Sequence, residues 1–394
     1  MRRVDAVSPL STRQAVAGAI AGLAVVSARA LARPRASDER RLLDWELVRR
    51  VAKQRSGERG PTATSLIAAR LGAEYDAVAA EMAPLMATVV ETPVSGYPRF
   101  AVLDRHGFID RNLAMAQRLL APVERLREQI PESHATALSR VLLSRYVGEL
   151  FGFMSQRVLG QYDPVLMLAP AAVEGGEREA SALYLVEPNV ELFESRHDVA
   201  GATLRRWLVL HELTHAWQFE AHPWLREHLG SMMGEMLMEE LVARLSGDGA
   251  TGGSAKQSRS LGTLELVRTL PGQVRAQLRT VGRLQAVMSV CEGYSNYVMH
   301  QVGSRHLDDF EKLETAFHER SSRRSPLERL VFKVTGLSMK MRQYELGERF
   351  AEKVVQRGGL SLLNRVWEGA EFMPSLAELD RPERWVARVG GAPR

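Results

Sequence analysis

His211 and His215 enclose Glu212, Leu213 and Thr214 within an apolar run from Thr203 to Phe219, and no other feature of the 394-residue chain restricts its fold as tightly. Residues four apart on an α-helix stand one above the other on the same face, so both imidazoles can be aimed at one point beside Glu212. Leu204, Trp207, Leu208 and Leu210 are too apolar for a solvated surface helix, and Pro223 lets the helix end just beyond the motif. Such a helix belongs in a core, and ionisable groups carried into a core need partners. Two roles meet that need. The histidines are hydrogen-bonded structural residues in a ladder with Glu212, or they hold a metal ion. In the second role zinc lowers the pKa of a bound water, and the adjacent carboxylate takes its proton as the water attacks a polarised carbonyl.

Cys291 is the only cysteine. An intramolecular disulfide and a thiolate zinc cluster are therefore excluded, and a metal site has to be built from His and carboxylates. A catalytic zinc site takes three protein ligands and keeps one position open. His222 does not supply the third. The H-E-x-x-H-x-x-G-x-x-H pattern calls for Gly at 218 and His at 221, where this chain has Gln218 and Ala221. Two glutamates stay open. Glu235 follows His215 by twenty residues, the spacing of thermolysin-like enzymes, and precedes a helical segment from Met236 to Leu245. Glu292 sits in the apolar helical run Leu284 to Val302, and a carboxylate in such surroundings calls for a cation.

Elsewhere the apolar spacing is mostly helical, through Ser65 to Val90, Leu113 to Ile130, Ala135 to Val158 and much of the C-terminal half. Only Pro164 to Ala169 and Ala182 to Val186 read as buried strands. Ser246 to Ser260 is a Gly/Ser-rich loop between two helical blocks. A chain with 45% hydrophobic and 25% charged residues is an ordinary globular one, neither disordered nor a multi-span membrane protein. The net charge of +5 is dispersed without a basic stripe, so nucleic acid is not an expected partner. At the N-terminus, Arg2 and Arg3 precede the apolar run Ala15 to Val26, and Ala28-Arg29-Ala30 follows it, a superficial likeness to a signal peptide. That run is too short to span a bilayer. Residues 1–40 are expected to form a flexible or weakly helical tail on a cytoplasmic protein. Secretion, or membrane anchoring through residues 1–30, is the alternative.

Several co-ordered segments resemble the zincin-like metallopeptidase family, a former domain of unknown function, some of whose members are labelled as associated with coenzyme F420 biosynthesis. They are Asp44-Trp45, Leu159-Gly160-Gln161-Tyr162-Asp163, Glu187-Pro188-Asn189, the helix with Phe219 and Pro223-Trp224-Leu225, Glu292-Gly293 with Val298-Met299, Gly336-Leu337 through Lys340 to Gln343-Tyr344, and the neighbourhoods of Trp367 and Trp385-Val386. Together they cover roughly residues 42–390, and several motifs in order are more specific than one pentapeptide. The resemblance implies a predominantly α-helical α+β fold with a small β-sheet, in which residues 41–394 form one zincin-like catalytic unit, divisible into lobes at 41–200 and 201–394. It also implies Zn2+ held by His211, His215 and Glu292, Glu212 as general base, and hydrolysis of a peptide or other amide, with no firm membrane association. The alternative is a zinc-binding protein that has lost hydrolase activity and serves as a scaffold or partner-binding protein.

The chain departs from the family's Glu-Gly-His at Glu292-Gly293-Tyr294. Residues two apart point to different sides of a helix, so the carboxylate keeps its place and Tyr294 either lends a hydroxyl to the site or packs. Tyr297, Lys340, Gln343 and Tyr344 are candidates for orienting a carbonyl or oxyanion, against a plain core role. Asp163 and Asn189 are expected to cap turns. The strand Ala182 to Val186 is expected either to present an edge to an extended peptide or to be an ordinary buried strand.

Overall fold

A computed structural model describes residues 41–57, 65–127, 134–163, 183–245, 272–322 and 337–390. The N-terminal tail, the strand read at Pro164 to Ala169 and the loop Ser246 to Ser260 lie outside the described residues. Three strands form one sheet in the order β1-β3-β2, with β1 at Phe100–Leu103, β2 at Gly160–Tyr162 and β3 at Leu183–Val186. β1 runs parallel to β3 and β2 antiparallel to it, with Ala101 and Gln161 both opposite Tyr184. All four residues of β3 are buried. Because side chains alternate across a strand, Leu183 and Leu185 enter the larger hydrophobic core while Tyr184 and Val186 enter a second cluster on the opposite face. β3 is therefore central, and its edges are taken by β1 and β2. The expectation that it offers an edge to a peptide is corrected accordingly. Its neighbours have only four and three residues, too few for an alternating pattern to stand out from the surrounding helices.

The second cluster lies among helices α1 (Trp45–Ser56), α3 (Arg105–Arg127) and α4 (His134–Ser155). Asp44 caps α1 by accepting the Leu47 N–H, and the Trp45 indole donates to Glu124 of α3. Helix α2 (Ser65–Val90) lies in the larger core. Helix α5 (Glu187–His197) begins directly after β3. Its Glu187 is 1% exposed and receives the Tyr75 hydroxyl of α2 at 2.5 Å and the Arg205 guanidinium at 2.6 Å. Asn189, expected to cap a turn, lies inside α5 and does so from there: its amide donates to the carbonyls of Ser155, the last residue of α4, and Val158, on either side of the turn that follows.

The histidine-bearing helix α6 (Gly201–Glu220) buries residues on nearly all sides, among them Leu204, Leu208, Val209, Leu213, Ala216, Trp217 and Phe219. A helix apolar around its circumference has to be enclosed. Helix α7 (Pro223–Leu245) follows, and it contains Glu235 instead of starting after it. The enclosing elements are α2, the sheet and α8 (Gly272–His306), whose 35 residues carry Glu292. Helix α9 (Phe310–Ser322) comes next, and α10 (Leu337–Leu363) crosses α8 so closely that a Cβ on Gly293 would strike the backbone of Gly347 and Glu348. A Cβ on Gly347 would in turn strike the carbonyl of Ser289. Two short helices, α11 (Leu376–Asp380) and α12 (Pro382–Gly390), close the chain with Trp385 fully buried. No described helix is long and apolar enough to cross a membrane.

Gly347→Ala is expected to destabilise the protein by about 1–3 kcal/mol or more, since backbone atoms and not flexible side-chain ends must move. Gly234→Ala, on a helical position with nothing within 4 Å of the added methyl, is expected to stabilise by about 0.5–1 kcal/mol. Denaturant unfolding of both variants reads the opposite signs. Equal stability of the two would contradict the close α8–α10 crossing.

Candidate metal centre

One helical turn separates His211 from His215, and their rings meet edge to face at 4.6 Å with the Nε2 atoms 3.2 Å apart. Glu292 reaches them from α8, its Oε2 lying 3.5 Å from His215 Nε2 and 3.8 Å from His211 Nε2. Metal–ligand bonds of about 2.0–2.2 Å in a tetrahedron place ligand atoms roughly 3.3–3.5 Å apart. The three observed separations bracket that value, so the donor set fits a zinc-sized ion as it stands. It is also the one group of His, Cys and carboxylate side chains among the described residues that could hold a metal. The histidine side chains keep 15% and 13% exposure and Glu292 only 4%, so access is from the histidine side. Burial pushes the His215 pKa down, but the neighbouring Glu292 carboxylate, joined by Glu212, outweighs it, and the pKa is raised. The carboxylate thus already attracts positive charge to this point.

The far sides of the rings are held unequally. His215 Nδ1 is 2.9 Å from Gln218 Oε1, and Gln218 Nε2 donates to the Cys291 carbonyl of α8 at 2.9 Å. Ser295 Oγ stands 3.4 Å from the same Nδ1. His211 Nδ1 faces the Met299 thioether, and its ring runs parallel to Trp207. Glu212 is 5% exposed and packs against β2, where a Cβ on Gly160 would come within 2.8 Å of its Oε1 and 2.5 Å of a Leu185 methyl. The bare glycine makes the niche that the Glu212 side chain fills.

The other candidates sit elsewhere. Glu235 lies on a partly exposed stretch of α7 and pairs with Arg283 at 3.1 Å, apart from the histidines. His222 Nδ1 faces the Gln218 carbonyl, and its ring lies against Trp217 and Trp367. The Tyr294 hydroxyl donates to Asn364 at 2.7 Å while its ring stacks on Trp217, so this residue packs and does not lend its hydroxyl to the centre. Tyr297 is partly buried against the core. Lys340, Gln343 and Tyr344 fall in α10, but their side chains are outside the described residues. Gly160, Gln218 and Met299 also border the centre, and no motif spacing marks them as site residues. Gly160 and Met299 stand within the family-like segments, whereas Gln218 carries no signal beyond its i+3 spacing from His215.

The zincin-like metallopeptidase family profile matches residues 43–386. No curated protein matches the chain. A crystal structure from Chloroflexus aurantiacus, described as that of a candidate hydrolase with a novel fold, is similar over 89% of this chain and all of that one, at 30% identity and a TM-score of 0.64. With that profile spanning nearly the whole described chain, the chain belongs to the zincin-like metallopeptidase family.

Proposed function

We propose that the protein is a zinc-dependent metallopeptidase in which His211, His215 and Glu292 bind the ion and Glu212 is the general base. The observation that carries this reading is the convergence of two imidazole Nε2 atoms and one buried carboxylate oxygen at ligand spacing, one residue away from a second buried carboxylate. Zinc, when bound, supplies Lewis-acid polarisation of a carbonyl oxygen and a lowered water pKa. Glu212 accepts the proton of the attacking water and passes it to the leaving amine, one carboxylate serving as base and then as acid. Gly160 and Leu185 confine its side chain. Family membership and the hydrolase description of the similar structure support a peptide or other amide as substrate.

Elemental analysis of the purified protein is expected to find about one zinc per chain. Glu292→Ala should weaken zinc binding by more than the roughly 10–100-fold typical of losing an outer-sphere partner, whereas Glu235→Ala should leave it near wild type. Chelator competition measures both, and the reverse order would move the third ligand to α7. Glu212→Gln should keep its zinc and lose about 10²–10⁴ in hydrolysis rate, read on a peptide library with metal content measured on the same sample. Wild-type turnover by that variant would remove Glu212 from the role. Zinc in both proteins with no cleavage by either would favour the zinc-binding protein without hydrolase activity.

A further inference from the structure

Gln218 is fully buried, three residues after His215 on the same helix. Its amide has one accepting oxygen and one donating nitrogen, and the two are distinguished by what they face. The Cys291 carbonyl, 2.9 Å away, can only accept, so the amide nitrogen must point to it. The amide oxygen is then the atom 2.9 Å from His215 Nδ1, and since that oxygen can only accept, Nδ1 must carry the hydrogen. A neutral imidazole holds one such hydrogen, which leaves a lone pair on Nε2. Nε2 is turned toward His211 at 3.2 Å and toward Glu292 Oε2 at 3.5 Å, a carboxylate contact longer than an ordinary N–H···O bond, so the shorter Gln218 contact decides which nitrogen keeps the hydrogen. Ser295, at 3.4 Å from Nδ1 and 3.5 Å from the Gln218 nitrogen, can donate or accept and imposes nothing. The His211 Nδ1 faces the Met299 thioether, a weak acceptor that fixes no tautomer.

We infer that Gln218 is a positioning residue that locks His215 in the Nδ1–H tautomer and fastens that ligand's helix to α8 one residue from Glu292. Its effect on metal affinity rests on the metal reading above, whereas the tautomer does not. The lock works before any ion arrives, so binding need not wait for a tautomer shift, and the imidazole is oriented by a bond to its far side as outer-sphere partners commonly do.

The test uses the full chain, metal-free and labelled with 15N-histidine, at a pH where the imidazoles are neutral. Two-bond 1H–15N correlations should show His215 as the Nδ1–H form. Gln218→Leu should lose that preference and bind zinc about 10–100-fold more weakly in chelator competition. Gln218→Glu keeps an acceptor toward Nδ1 but gives up the donor to the Cys291 carbonyl, so it should retain the tautomer and bind zinc more tightly than Gln218→Leu while losing thermal stability. A purely structural glutamine would lower thermal stability in both variants and leave the tautomer unmoved, which would overturn the inference. An Nε2–H form in the wild type would also overturn it, whether or not the leucine variant folds. Absence of zinc binding in wild type with the Nδ1–H form intact would instead overturn the metal reading alone.

Discussion

The contact between α6 and α8 is the interaction on which both the core and the candidate site depend. Along that contact the Trp217 ring stacks on Tyr294, Gln218 donates to the Cys291 carbonyl, and His211 and His215 face Glu292. Core packing and ligand convergence are thus the same geometry seen at different heights of one helix pair. A buried carboxylate facing two imidazoles is expensive to desolvate without a cation or a shared proton. The surrounding apolar packing holds it there regardless, which is the arrangement expected where a fold stores binding capacity for an ion.

Glycine sets the precision of that contact. Gly293, adjacent to Glu292, touches α10 backbone to backbone at Gly347, so the depth at which α8 sits is set by main-chain atoms that have no rotamers to adjust. On the opposite side of the site, Gly160 leaves the volume that the Glu212 side chain occupies. A larger residue at either place would press on backbone or on the Glu212 side chain and displace a carboxylate.

The buried charges away from the centre serve the scaffold. Glu187 is buried between Tyr75 and Arg205, with Arg205 also bonded to Glu194 at 3.0 Å, and so ties α2, α5 and α6 together. Burial, with Glu187 beside it, pushes the Tyr75 phenol up, which keeps it a neutral donor. Breaking such a pair leaves an uncompensated buried charge, so its role is to fix how the helix carrying the histidines enters the core.

The amino-acid sequence alone determined the helical character, the histidine helix and the pairing of His211 with His215, because helix periodicity and i, i+4 chemistry are local properties. It also excluded a thiolate cluster through the single cysteine, Cys291. Spacing alone left Glu235 and Glu292 both open, since neither spacing says where one helix crosses another, and the apolar run around Glu292 with the family resemblance favoured Glu292. Tertiary structure separated them by bringing α8 against α6 and leaving Glu235 with Arg283. The short strands β1 and β2 escaped notice because three or four residues carry no period, and the central place of β3 followed only once they paired with it. Tyr294, ambiguous on paper, was decided by Asn364, and Gln218 acquired its role only when the Cys291 carbonyl arrived opposite its amide. These are contacts between distant segments, and they exist only after the chain has closed on itself.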